Sequence, residues 1–177
     1  MKTENKKMGG LTLLPKDERD LNLGAIIDLP SPQILPETFS LGETIIRNQA
    51  KDGNDDFCTQ YGLAGMAYLQ DGIEGSQEWA FAKSKELSGD PEAFGQDMRT
   101  AFKVWVKFGS PKREEVKVPE IPNDRRYFKN YDSSLKGEEL KKQTYVTCKG
   151  NFDAYDNIRT SIYHFRKGNG NCYKGSC

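Results

Sequence analysis

The chain has 177 residues, enough for one domain with a hydrophobic core. Its 26 lysine and arginine residues equal its 26 aspartate and glutamate residues, which disfavours a nucleic-acid partner because polyanion binders usually carry a basic surplus. No apolar run approaches the roughly 18 residues of a membrane helix, so no membrane partner is expected. The single histidine, His164, excludes a multi-histidine metal site within the chain.

Residues 1–34 are predicted to form an N-terminal extension that leads into the domain as a strap. They mix charges with a short apolar stretch, and Pro30, Pro32 and Pro36 keep the backbone extended. For residues 1–15 a solvated tail is the alternative. No apolar segment of about 7–15 residues marks a secretory signal here, so we expect a cytoplasmic protein with reduced thiols.

The segment 41–47 is predicted to form a short strand, followed by a polar turn over 50–56 and a first helix over about 57–70. Asp55 and Asp56 are placed to cap this helix and to complement its dipole. Its buried side is expected to consist of Tyr61, Ala64, Tyr68 and Leu69.

Three more helices are predicted, over about 77–87, 96–108 and 153–166. The third follows the i, i+3, i+4 spacing of an amphipathic helix, and Gly109 marks its end. Its apolar positions are Met98, Ala101, Phe102, Trp105 and Val106. The last helix is expected to bury Tyr155, Ile158, Ile162 and Phe165.

Weaker signals predict three shorter elements. Ser110 and Pro111 open a further turn, as N-cap and first helical residue. A weak helix is predicted over 135–142, and a strand over 143–148.

One local arrangement, around Cys58, has the residue types of a catalytic site. Cys58 lies at the predicted start of the first helix, where the partial positive charge of a helix N-terminus stabilises a thiolate. Gln49, next to Asn48, offers an amide donor for an oxyanion, as acyl transfer requires. The alternative is a small buried side chain at a helix start, which Asp55 and Asp56 favour because negative charge opposes ionisation of a thiol.

The remaining cysteines indicate neither a metal site nor a disulfide framework. Cys172 and Cys177 are close enough to pair in an oxidising setting, but cytosolic disulfides are rare. A four-cysteine zinc site with Cys58 and Cys148 is disfavoured because no Cys-x-x-Cys pair exists. We expect no metal and no cofactor.

The order of segments around Cys58 is typical of one enzyme family. The run LPETFSLGETIIRNQAKDGNDDFCTQYGLAGM contains a Leu-Pro dipeptide, a short strand, an Asn-Gln pair and a cysteine at a helix start. The segments that follow are EWAFAKSKELSGD, FGQDMRTAFKVWVKFGSPKREE and TYVTCKGNFDAYDNIRTSIYHFRKG. Over residues 35–177 this order resembles papain-like cysteine peptidases of the bacterial or phage branch. In that comparison, the first of the three segments is similar to the family's second helix, the next to its third helix, and the last to a later strand and helix.

The resemblance implies an α+β fold: the helix-dominated left half of a papain-like domain, with only part of the β-rich right half. It assigns Cys58 as the nucleophile and Gln49 as the oxyanion donor. Thr59 stands where the family has tryptophan, and the nine positions from Gln49 to Cys58 exceed the family's usual gap. The family's base histidine and asparagine follow the cysteine by about 130–150 residues, further than this sequence extends, so we expect the domain to be C-terminally incomplete.

The implied function is thiol-dependent peptide-bond hydrolysis of a peptide or protein substrate, absent or very slow in this chain alone. His164 is expected to face solvent rather than to act as the base. Two alternatives are a non-catalytic papain-like module in an assembly and one half of a split enzyme. In each case, a partner chain, self-association or the N-terminal strap is expected to cover the apolar face left open on the Cys58 helix.

Overall fold

The chain divides into two compact units, which are described separately. The first comprises residues 1–14 and 44–142, and the second comprises residues 15–43 and 143–177. The structure, a computed structural model, describes residues 11–12, 17–18, 22, 25, 28, 31–38, 40, 42, 45, 47–49, 52, 56–117, 131–142, 156, 159–160 and 162.

Three α-helices form the body of the first unit: α1 (Cys58–Asp71), α2 (Gln77–Ser88) and α3 (Met98–Lys107). Strand β1 (Leu11–Thr12) pairs in parallel with β2 (Gln96–Asp97), immediately before α3. Short 3₁₀ helices span Arg113–Glu115 and Glu138–Leu140, and a third, Pro32–Ile34, belongs to the second unit. The predicted mixed fold, dominated by helices with little strand, is thereby confirmed in outline.

Capping residues account for the ends of α2 and α3. The Ser76 hydroxyl accepts a hydrogen bond from the backbone N–H of Trp79, and Gly89, with φ of 71°, ends α2. The Asp97 carboxylate accepts from the N–H of Thr100 at 2.7 Å. After α3, Gly109 has φ of 72° and donates to the carbonyl of Val104, which agrees with its predicted role as a stop signal.

The core lies where the three helices meet. Its buried side chains come from all three helices and from the loops after α3: Leu63, Ala64, Ala67, Trp79, Ala80, Ala101, Val104, Trp105, Val116 and Leu140. A smaller cluster contains Phe57, Phe81 and Ala82, and the rings of Phe57 and Phe81 stack with centroids 3.8 Å apart. The buried indole N–H of Trp79 is satisfied, since it donates to the carbonyl of Asp132 at 2.8 Å.

The predicted helices over 57–70, 77–87 and 96–108 are confirmed, each within about two residues at its ends. For the predicted helix over 153–166, the described residues Asp156, Arg159, Thr160 and Ile162 are all helical. Ile162 is nevertheless 41% exposed, so its predicted burial is wrong. Thr160 is the buried residue, and its hydroxyl donates to the carbonyl of Asp156 at 2.8 Å.

Of the four residues predicted to form the buried side of α1, Ala64 is confirmed as buried and the other three are not. Tyr61, Tyr68 and Leu69 are only half-buried, whereas the buried residues are Thr59, Gln60, Leu63, Ala64 and Ala67. Apart from Leu63, the side chains of this packed face are small or polar, so hydrophobicity alone misplaces it. On α3 likewise, Met98 is exposed and Val104 is buried.

Two predicted elements after α3 take other forms because their backbones pair with neighbouring segments. Ser110 and Pro111 do not start a helix; the carbonyl of Pro111 accepts from the N–H of Ser76, and the next 3₁₀ helix begins at Arg113. The predicted helix over 135–142 is reduced to Glu138–Leu140. Gly137, the residue just before this 3₁₀ helix, forms an isolated β-bridge with Gly109, and this bridge fixes where the helix begins.

Neither of the two predicted strands is found among the described residues. Gly42, Ile45 and Arg47, the described residues of the segment 41–47, do not lie in a strand. The predicted strand over 143–148 lies outside the described residues. Within the described part of the chain, no helix has both the length and the apolar composition needed to cross a bilayer.

Candidate active site at the start of helix α1

Cys58 is the first residue of α1, as predicted, and its thiol is free and half-buried. The carbonyl of Phe57 accepts from the backbone N–H groups of Gln60 and Tyr61, which closes the first turn. The N–H groups of Cys58 and Thr59 precede the first intrahelical hydrogen bonds, as at every helix start. They and the helix dipole give this end of α1 a partial positive charge next to the sulfur.

Asp56 does not cap α1, which corrects the prediction for this residue. Its carboxylate is fully buried and accepts from the backbone N–H of Gly95 at 3.1 Å. The N-cap position belongs to Phe57, whose side chain has no atom that could accept a capping hydrogen bond and whose ring stacks on Phe81. Asp55 lies outside the described residues.

The backbone that precedes β2 is held from two sides. The buried ammonium of Lys85, on α2, donates to the carbonyls of Ala93 and Gly95, and Asp56 accepts from the N–H of Gly95. Two buried opposite charges therefore fix one short stretch of backbone next to the start of α1. These hydrogen bonds offset part of the free-energy cost of burying the two side chains.

Gln49 is half-buried in a turn that is attached to α1. The N–H of Asp52 donates to the carbonyl of Asn48 at 3.0 Å, which closes the turn around Gln49. The Asp52 carboxylate accepts from the hydroxyl of Tyr61 at 2.8 Å, and Tyr61 lies three positions after Cys58. The structure thus attaches the turn that contains the predicted amide donor to the same first turns of α1 that carry the predicted nucleophile.

A second attachment holds the chain just before Gln49. The guanidinium of Arg47 makes two hydrogen bonds to the carboxylate of Glu74, one of them 2.8 Å from Nη2 to Oε2. The hydrogen bond from Arg47 lowers the pKa of the Glu74 carboxyl below its ordinary value, while burial opposes that shift. The charge of Arg47 and the side chain of Gln77 lower it further.

Gln60 is a buried polar residue that the hydrophobic pattern did not reveal. Its amide oxygen accepts from the indole N–H of Trp105 at 2.9 Å, and its amide nitrogen donates to Ser84 at 3.0 Å and to Gln96 at 3.3 Å. One amide thereby joins α1, α2, β2 and α3. The only available signal is its spacing, since it lies three and four positions before the buried pair Leu63 and Ala64.

A buried ion pair lies between α2 and the segment after α3. Glu78 is 1% exposed and accepts from the guanidinium of Arg113 at 2.8 Å. Its other neighbour is the hydroxyl of Ser76, at 3.4 Å. The partners are 35 positions apart in sequence, so no local pattern predicts the pair.

One face of α1 remains open next to the thiol. Cys58, Gly62 and Met66 follow each other at intervals of four, which places them on one side of the helix. Met66 is 51% exposed, and a Cβ placed on Gly62 would meet nothing within 4 Å. This open stripe is defined as Cys58, Gly62 and Met66.

Four of the residues considered for catalysis, metal binding or disulfide formation are not among those that the structure describes. His164, Cys148, Cys172 and Cys177 lie outside the described residues. Among the residues that are described, no group of three or more histidine, cysteine, aspartate or glutamate side chains could hold a metal ion.

Comparison with known proteins adds no family assignment. No protein-family model matches the chain, and no curated protein or solved structure matches it significantly. The resemblance to papain-like cysteine peptidases therefore stays a prediction that depends on the residues themselves.

Proposed function

We propose that this chain carries the nucleophile of a thiol-dependent acyl-transfer site of the papain-like cysteine peptidase class, acting on a peptide or protein substrate. One observation supports this most directly. The half-buried thiol of Cys58 opens a helix of 14 residues, and the turn that contains Gln49 is attached to that helix by the 2.8 Å hydrogen bond between Tyr61 and Asp52. A nucleophile at a helix N-terminus with an amide donor close by is the arrangement that stabilises an oxyanion.

In the proposed reaction, the Cys58 thiolate attacks the carbonyl carbon of a peptide bond. A C–S bond forms, and the π electrons of the carbonyl move to oxygen, where the N–H groups at the start of α1 and the Gln49 amide donate to the oxyanion. When the carbonyl re-forms, the C–N bond breaks and the leaving amine takes a proton from the imidazolium that formed when the thiol was deprotonated. Water then cleaves the thioester, which releases the acid and restores the thiol.

The imidazole is the component that this chain is not expected to supply. His164 is predicted to face solvent, so the proposal assigns the base to a histidine from outside this sequence. Without that base, the thiol is expected to react with activated esters but not to hydrolyse peptides at a measurable rate.

The proposal can be tested on the chain as it is, by comparing acylation with alkylation at Cys58. Acylation by para-nitrophenyl acetate forms an oxyanion, and the nitrophenolate leaves without needing a proton. Alkylation by iodoacetamide forms no oxyanion. Gln49→Ala is therefore expected to lower the acylation rate about tenfold or more while leaving alkylation unchanged.

Site-resolved peptide mass spectrometry would measure both rates at Cys58 separately from the other thiols. Gln70→Ala is the matched control, because Gln70 is an exposed glutamine on α1. If Gln49→Ala left the ratio of the two rates unchanged, or lowered both rates together, Gln49 would not be an oxyanion donor. In a complemented system that hydrolyses a peptide amide, Cys58→Ala should abolish activity and His164→Ala should preserve it; the reverse result would refute the proposal.

A non-catalytic binding module is the second candidate, and the open stripe on α1 favours it. A half-buried thiol beside Gly62 and the exposed Met66 is also what a surface covered by a partner would present. The same experiment separates the two functions. A ratio of acylation to alkylation at Cys58 equal to that of free N-acetylcysteine would favour the binding module.

A further inference from the structure

The turn that contains Gln49 is attached at both of its ends. Arg47, two positions before Gln49, is paired with Glu74 in the connection between α1 and α2. Asp52, three positions after Gln49, is bonded to Tyr61 on α1. The backbone hydrogen bond from Asp52 to Asn48 closes the turn between these two attachments.

The three helices are also joined by contacts that involve neither attachment. The side chains of Gln60 and Trp105 and the apolar core already join α1, α2 and α3. Arg47 and Glu74 lie at the edge of this core, with side chains 37% and 16% exposed. A bidentate pair between a guanidinium and a carboxylate fixes orientation as well as distance, so it suits the placement of a segment.

We infer that Glu74 and Tyr61 are positioning residues that hold the Gln49 amide at the start of α1, ready to donate to an oxyanion on a substrate attacked by Cys58. The inference rests on the proposed function. An amide on an unattached turn would have to lose conformational freedom during the reaction, whereas an attached amide loses less. Loosening either attachment should therefore weaken acylation of the thiol without changing its access or its alkylation.

The test applies Glu74→Gln and Tyr61→Phe to the full chain, with para-nitrophenyl acetate and iodoacetamide as probes. Each variant is expected to lower the ratio of acylation to alkylation at Cys58 by about 3- to 10-fold, the net worth of one hydrogen bond. This loss should be smaller than that of Gln49→Ala. Amide hydrogen exchange at Asp52 should become faster in both variants, because its N–H closes the turn.

Matched controls and a rescue distinguish positioning from general damage. Tyr68→Phe removes a hydroxyl from another half-buried tyrosine of α1, and Glu138→Gln removes the charge of an exposed ion pair. Both should leave the ratio within about twofold of the parent chain. Exchanging the charges, with Arg47→Glu and Glu74→Arg together, should restore part of what Glu74→Gln loses.

Two results would overturn the inference. One is an unchanged ratio in both variants while Gln49→Ala lowers it, and the other is a parallel fall of acylation and alkylation. If Glu74→Gln failed to fold, Tyr61→Phe alone would decide, since it removes a single hydroxyl. If Gln49→Ala itself had no effect, the proposed role of Gln49 would fail first, so the two failures are distinguishable.

Discussion

Helices α1 and α2 lie side by side but are buried in different ways. In α2, nine consecutive residues from Gln77 to Lys85 are buried, so every side of the helix is enclosed. In α1, five residues are buried and the stripe of Cys58, Gly62 and Met66 remains open. Of the two helices, α2 is therefore the more enclosed. The difference teaches that burial is not shared equally between neighbouring helices: α2 is packed on every side, whereas α1 keeps one side exposed.

The enclosed helix is not the more hydrophobic one. Glu78 and Lys85 are buried on α2, and each charge is bonded to a distant residue or to loop carbonyls. Lys83 bonds Glu86 and lies 4.8 Å from the centre of the Phe108 ring. Hydrogen-bonded and paired polar groups of this kind allow a helix to be buried without an apolar surface on every side.

The largest expected effect comes from creating a cavity in the enclosed helix. Phe81→Ala should lower the free energy of unfolding by about 3–5 kcal/mol, because Phe81 is fully buried and stacks on Phe57. Met66→Ala on the open stripe should cost about 0.5 kcal/mol or less. Urea unfolding would measure both. Equal losses would mean that the difference between α1 and α2 does not exist in solution.

A smaller effect is expected from acid, through Glu74. Its pKa is lowered in the folded chain, so its contribution to stability is complete above the ordinary glutamate pKa of about 4.3 and is lost as pH falls through the lower folded value. Glu74→Gln should therefore destabilise the chain near neutral pH but progressively less in acid. Unfolding midpoints measured across this range would check the prediction, and a constant difference between the two proteins would contradict it.

The smallest effect is expected at Gly62, in the middle of the open stripe. Gly62→Ala should stabilise the chain by about 0.4–1 kcal/mol, because alanine restricts the unfolded chain and a Cβ here meets nothing within 4 Å. Gly75→Ala is the contrasting variant, since its Cβ would lie 2.8 Å from the ring of Trp105. Thermal unfolding would measure the change in stability, which should be a gain for Gly62→Ala and a loss for Gly75→Ala. Destabilisation by Gly62→Ala would indicate that the stripe is covered.

Sequence alone predicts the helices well and the contacts between them poorly. The ends of α2 and α3 follow from local signals such as Gly89 and Gly109, which act within one turn of the chain. The start of α1 at Cys58 follows from the polar turn before it. The packed side of α1 does not follow from local signals, because Gln60 is buried through hydrogen bonds to residues up to 45 positions away.

The contacts around the candidate site were missed for the same reason. Arg47 and Glu74 are 27 positions apart, and Gly95 lies 39 positions beyond Asp56. Adjacent charges in the sequence predicted that Asp56 would cap α1, but the nearby backbone of Gly95 competes for the same carboxylate. Such competition depends on the tertiary fold and is invisible to a local pattern.

The pairing of β1 with β2 has a consequence for the order of folding. Leu11 and Gln96 are joined across roughly 80 residues of intervening chain, and only two residues of each strand take part. Closing so long a loop costs conformational entropy that so short a ladder cannot offset until α3 has formed behind it. We therefore expect β1 to associate last, after the helices, and to detach first when the chain unfolds.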